Sequence, residues 1–291
     1  MNLYLHVGAP GVDGYHPLCS LMAFADVGDR VVVEMPPHSD GTTVLSLGGP
    51  FADHLGAVPE NLVVRARDAL WGNRRGAHFG ALIALEKNLP VASGLGGGSS
   101  DAGATLRLLR EAWQLGIDDA ELEHVAASLG ADAAACLWGR PVIAQGRGER
   151  LSPAPGFTPV DAVLVNPGVP VSTAGVYAAF DAASRFGAVE VPQMPDEFGD
   201  AAHLAAWLAE QRNDLQAAAI AIAPEVGAVL ETLVAEPETL IARVSGSGGT
   251  CFALCASAVE AQALAARVEA MAPAWWVKRC RLGGPWPDRA G

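Results

Sequence analysis

The part of this sequence best suited to hold an anion is the run Gly94-Leu95-Gly96-Gly97-Gly98-Ser99-Ser100. Its glycines expose backbone N–H groups and let a ligand approach closely. A helix that begins near Ser100 would point its positive end back at the run. The hydroxyls of Ser99 and Ser100 can bond phosphate oxygens or a Mg²⁺ ion. No lysine completes the Gly-x-x-x-x-Gly-Lys-Ser/Thr pattern, and Ser99 stands where a dinucleotide fingerprint has its third glycine. A single Gly-x-Gly would read as a tight strand-to-helix turn, whereas this density of glycine, with two serines and a helix behind it, favours an anion site. Asp132 is a second candidate. It lies two residues after Gly130, where an aspartate most commonly caps the next helix.

The elements that must position these residues follow from the patterning. Residues 2–7 alternate as a strand, and 30–35, 42–47 and 81–86 read as further strands, with a Ser-Asp-Gly turn between the second and third. A helix is expected over 59–70. After the glycine run, Ala102, Leu106, Leu109 and Trp113 share one face of a helix that Gly116 stops. Asp118 and Glu121 form a capping-box start for the next helix, which ends at Gly130. The proline-rich stretch 152–159 marks a domain boundary. Beyond it come a strand (162–166), a helix (173–182), a mostly helical span (201–233), two strands flanking a glycine-rich turn (241–244, 250–254), a helix (259–271) and a closing strand (275–281). Without a strict βαβ rhythm, an α+β arrangement in two layers is expected rather than a doubly wound sheet.

The chain has 291 residues, 51% hydrophobic and 18% charged, with a formal net charge of −13. That length suits one large domain or two moderate ones. The acidic balance argues against a nucleic-acid partner, and it requires any anion site to draw on backbone amides or a few placed cations. The five cysteines, Cys19, Cys136, Cys251, Cys255 and Cys280, form no metal-ligand spacing and read as buried thiols. No apolar run is long enough to span a bilayer, and the N-terminus carries no signal-peptide pattern, so no membrane association and a cytoplasmic location are expected. The oligomeric state is left open.

The segment Pro90–Ala102 resembles the phosphate loop of the GHMP kinases. Four further segments resemble that family in the right order: Asn2–His16, Glu60–Ala66, Leu129–Asp132 and Val244–Phe252. Together they span nearly the whole chain. The triple glycine with Ser-Ser-Asp is most similar to members that use ATP to phosphorylate the 2-hydroxyl of a cytidine diphosphate-linked methylerythritol. The resemblance implies a two-domain fold (1–152 and 153–291) with the active site between the domains, a small-molecule substrate, and ATP with Mg²⁺. It implies that Pro90, Gly94, Leu95, Gly96, Gly97, Gly98, Ser99 and Ser100 hold ATP, that Asn61 bonds the adenine edge and that Lys87 flanks it. It makes Asp132 the catalytic residue beside the acceptor hydroxyl. Tyr15 and Tyr177, an aromatic from each domain, would sandwich the cytosine ring, and His16 would read its edge. Asn2, Thr173, Gly246, Ser247 and Gly248 would contact the substrate and close the phosphate site. Asn61 is equally a helix-start residue, Lys87 a solvated surface charge, and the 245–249 turn a plain connection. The rival expectations are another small-molecule kinase of the same family and a nucleotide-binding protein with little or no catalysis.

Two departures from the family bear on activity. A lysine usually stands just ahead of the first strand, and the chain's two lysines, Lys87 and Lys278, lie elsewhere. The expectation is that this lysine lies upstream of Met1. Adding an upstream Ala-Lys, or the native upstream residues, should then raise kcat/KM by roughly tenfold or more, and an unchanged value would refute the idea. Gly103 replaces the usual alanine in the loop helix and should weaken it by about 0.5–1 kcal/mol.

Overall fold

The computed structural model describes residues 1–36, 42–56, 60–72, 80–130, 132–154 and 156–285. Helices and antiparallel-rich sheets mix in an α+β arrangement. They form two compact units: Met1–Val27 with Ala92–Leu95 and Gly139–Gly291, and Gly28–Val91 with Gly96–Trp138. The expected Ser-Asp-Gly turn (39–41), Pro59, Ala131 and Pro155 lie outside the described residues.

In the first unit, β1 (Asn2–Val7), β2 (Leu18–Met22), β7 (Val142–Gly146) and β8 (Arg150–Pro153) form an antiparallel sheet in that order. A second antiparallel sheet has the order β10-β11-β9-β12-β3, made of Ile241–Val244, Cys251–Leu254, Val160–Asn166, Trp276–Gly283 and Phe24–Ala25. Its middle strand β9 is an apolar run, buried from Ala162 to Asn166, as expected of a strand flanked on both sides. Helices α5 (Thr173–Ala183), α6 (Ala201–Ala209), α7 (Gln216–Ile222), α8 (Pro224–Ala235) and α9 (Ala258–Met271) belong to this unit. Val163, Val165, Phe180, Val229, Leu233 and Leu264 lie in its core. The helical span expected over 201–233 is three helices. Pro224 cannot donate a helical N–H, so it opens α8 at the first turn rather than continuing α7.

In the second unit, β6 (Ala81–Glu86) pairs antiparallel with β4 (Arg30–Glu34) and parallel with β5 (Thr43–Gly48). Its residues alternate buried and exposed, the period of a strand with one covered face. That face packs with α1 (Leu62–Trp71), α2 (Gly97–Ala112), α3 (Asp119–Ala127) and α4 (Ala133–Trp138) around Leu70, Ile83, Leu85, Leu106, Leu109, Leu122 and Leu137. The N-cap half of the capping box is present: the Asp118 carboxylate accepts from the Glu121 N–H at 2.8 Å. Helix α2 ends earlier than Gly116, because the chain turns left-handed at Gln114 (φ 50°) directly after its last turn.

Gly103 reverses its expectation. A Cβ there would stand 2.9 Å from the Cys136 carbonyl oxygen and 3.0 Å from the Leu137 Cα, both backbone atoms of α4. The close approach of α2 and α4 therefore requires glycine. Gly103→Ala should destabilise the protein by about 1–3 kcal/mol despite alanine's better helix propensity. A thermal melt unchanged or raised in the variant would show that α4 yields freely.

Candidate functional site

The anion-binding geometry in the second unit begins earlier than the sequence suggests. Helix α2 starts at Gly97, so Gly97, Gly98, Ser99 and Ser100 are its first turn. Glycine is tolerated there because the first-turn N–H groups have no partner within the helix. Gly96 caps the helix in a left-handed conformation (φ 71°), and its carbonyl accepts from the Ser100 N–H at 2.9 Å. The Cys136 thiol sits beside this turn, 3.9 Å from where a Gly96 Cβ would be. The amides of residues 97–99 carry the positive end of a helix of 16 residues.

Lys87 is neither a solvated surface charge nor a flanking side chain free to reach a ligand. It is buried, with its ammonium held by the Asp29 carboxylate and by Asp101 Oδ2 at 3.0 Å. Asp29 Oδ1 also accepts from the Asn88 and Leu89 N–H groups at 2.6 and 2.8 Å. Burial pulls the Lys87 ammonium down, and the two carboxylates more than offset it, so it stays protonated. Pro90 is buried just beyond. Asn61 caps α1, its Oδ1 accepting from the Val63 N–H at 2.9 Å, which leaves its amide N–H₂ as the group able to meet a base. Asp132 lies one residue ahead of α4, and its carbonyl accepts from the Cys136 N–H at 3.0 Å. Among the described residues its carboxylate makes no capping bond to α4. Burial pushes that carboxyl above the usual aspartate range, which suits a proton acceptor.

In the first unit, the start of the glycine run meets the second glycine-rich turn. Ser245 Oγ donates to the Gly94 carbonyl at 2.9 Å, and the Thr250 N–H donates to the Ser93 carbonyl at 2.9 Å. Leu95 is buried beside them. The turn Ser245–Gly249 is thus more than a connection, because it clamps the run across 151 residues of sequence. The Asn213 amide donates to the Val244 and Gly246 carbonyls, both at 2.8 Å, and fixes the turn. Asn2 is tied into the same place: its N–H donates to Ser245 Oγ at 3.2 Å and its Nδ2 to Ser20 Oγ at 2.8 Å. Gly246 takes a positive φ and sits against Asn2 Oδ1. Gly248 is also at positive φ, and Ser247 Oγ lies 2.9 Å from Thr173 Oγ1.

The aromatic residues gather in the first unit too, so Tyr15 and Tyr177 come from one unit and not from two. The His16 ring is 5.2 Å from that of Tyr177. Its Nδ1 lies 2.8 Å from the Gly8 carbonyl and its Nε2 lies 3.2 Å from Asp181 Oδ1. Both ring nitrogens face protein oxygens, so any base-reading by His16 falls to its backbone N–H and C=O. Tyr15 is exposed, with the Arg147 guanidinium 4.2 Å from its ring centre, and Arg147 is in turn paired with Asp13. Sequence reasoning left Arg147 unassigned, took Ser245 only as part of the second glycine turn, and passed over Asp29, Asn213 and Cys136. Of these, Cys136 lies near a motif segment, four residues after Asp132, whereas Asp29 and Asn213 carry no local signal.

Residues 61–140 match the GHMP kinases N terminal domain and residues 191–274 the GHMP kinases C terminal family. The 4-diphosphocytidyl-2-C-methyl-D-erythritol kinase of Caulobacter sp. (strain K31) is 55% identical over 98% of this chain and 97% of its own length. That of Hyphomonas neptunium is 46% identical over 97% of this chain and 94% of its own. The crystal structure of a 4-(cytidine 5'-diphospho)-2C-methyl-D-erythritol kinase superposes with a TM-score of 0.75 at 34% identity, covering 97% of this chain and 96% of that one.

Proposed function

Since this chain belongs to the GHMP kinase family, we propose that it transfers the γ-phosphoryl group of ATP to the 2-hydroxyl of 4-diphosphocytidyl-2-C-methyl-D-erythritol. The observation that carries this is the 55% identity, over 98% of the chain, with a kinase named for that acceptor. Phosphoryl transfer asks mainly for positioning and for neutralisation of charge. The first-turn amides of α2 and the Ser99 hydroxyl take the phosphates, and Asp132 accepts the proton that leaves the acceptor hydroxyl as the new P–O bond forms. Mg²⁺ enters with ATP. Among the described residues no cluster of three or more acidic, His or Cys side chains stands ready for a resident metal, and the serine hydroxyls of the α2 turn fit an ion that keeps most of its ligands from phosphate and water. Tyr15 and Tyr177 offer stacking faces for the cytosine, contributing about 1–3 kcal/mol per stacked base, and the backbone of His16 reads its edge.

A coupled ADP-release assay tests the proposal, with the cytidylyl acceptor and with homoserine and galactose as controls. Turnover on the cytidylyl acceptor alone is expected. Turnover on a control instead would assign the chain to another small-molecule kinase, and ATP binding without turnover on any acceptor would make it a binding protein.

A further inference from the structure

We propose that the buried Lys87–Asp29–Asp101 cluster sets the charge beneath the phosphate loop, with Lys87 the positioning residue that keeps two carboxylates from repelling ATP. The inference rests on the reading that the first turn of α2 holds ATP phosphates. The cluster lies directly under that turn: a Cβ on Gly97 would stand 3.1 Å from Lys87 Nζ and 3.2 Å from Asp29 Oδ2. Asp101 belongs to α2 itself, one residue past its first turn, and is 5% exposed. A carboxylate near a helix N-terminus offsets the positive end that an anion would use. Here there are two, and the single ammonium leaves the cluster net negative when both are ionised.

The surroundings give the cluster a proton to exchange. Lys87 reaches Asp101 from the segment after β6, Asp29 from the turn before β4, and Cys136 from α4. Burial pushes Asp101 up to about 7, and Asp29 adds to the rise while Lys87 opposes it. The Cys136 thiol is pushed up to about 11 and stays neutral. The Asp29 oxygens receive Lys87 and two backbone N–H groups, whereas Asp101 is the carboxyl that burial raises and so the one that takes up the proton. Below pH 7 it is neutral and the cluster is balanced. As pH rises through 7 it ionises, the cluster turns negative, and ATP is held less well.

Steady-state kinetics of the full chain test this, with MgATP and the cytidylyl acceptor between about pH 6 and about pH 8.5, on Lys87→Met, Asp101→Asn and the double variant. Lys87→Met should raise the KM for ATP about tenfold to a hundredfold and leave the acceptor KM within about twofold. At about pH 8.5, where Asp101 is ionised, the double variant has the wild-type charge, so its KM for ATP should return there to within about threefold of wild type. A role in packing alone predicts no such rescue. Asp101→Asn should bind ATP increasingly better than wild type as pH rises through 7. An unchanged KM for ATP in folded Lys87→Met, or a double variant no better than Lys87→Met, overturns the inference. If Lys87→Met does not fold, Asp101→Asn decides: a wild-type-to-variant KM ratio independent of pH overturns it. Hydrogen exchange of the 96–100 amides with and without ATP separates the two levels. Absent protection sinks the phosphate-loop reading and this inference with it, and protection with unchanged kinetics sinks this inference alone.

Discussion

Asp132→Ala should lower kcat by about 10³-fold while the Kd for ATP moves by less than about threefold. The carboxyl stands just ahead of α4, at a position where aspartate commonly serves as a helix cap. A cap and a base make different predictions. Loss of a cap costs about 1 kcal/mol of stability and leaves turnover nearly intact, whereas loss of the base removes turnover and leaves the melt nearly intact. The absence of a capping bond among the described residues favours the base. Burial raises the Asp132 pKa, and a base works only when deprotonated. The acid limb of kcat/KM should therefore lie above the pH at which an ordinary aspartate titrates, with activity falling as pH drops through it. Turnover above a tenth of wild type in Asp132→Ala would remove this residue from its role.

What the sequence disclosed and what it hid divide along physical lines. Helix α2 was legible because Ala102, Leu106, Leu109 and Trp113 keep a helical period, and all four are buried on one face. The Asp118 cap was legible because capping is local. The glycine run was legible as the turn into a helix, which the structure starts at Gly97. The burial of Lys87 was hidden, because its partner Asp29 lies 58 residues away and no local pattern reports a long-range ion pair. The partner of the His16 ring was hidden for the same reason: Asp181, which faces it, comes from a distant helix. Gly103 looked like a weak point because helix propensity ignores what packs outside the helix, here the α4 backbone.

Gly94→Ala should destabilise the protein by about 3 kcal/mol or more. Gly94 holds φ 74°, a conformation that side chains rarely adopt. A Cβ there would stand 2.4 Å from the Gly248 carbonyl oxygen and 2.6 Å from that of Ser245. Both are backbone atoms, and neither can swing away. Ser245 is fixed by its bonds to Gly94 and Asn2, and the turn behind it by Asn213. Relief of the clash therefore means parting the two glycine turns and breaking those bonds. Gly98→Ala is the matched comparison. Its φ is not positive, and the added Cβ would meet only the end of the Leu62 side chain, at 3.2 Å. That variant should melt within about 1 kcal/mol of wild type yet lose ATP affinity, because the methyl group crowds the first-turn amides. Thermal unfolding and the KM for ATP, measured on both variants, separate the scaffold function of Gly94 from the ligand-facing function of Gly98. Equal melts for the two would mean that the second glycine turn does not clamp the first.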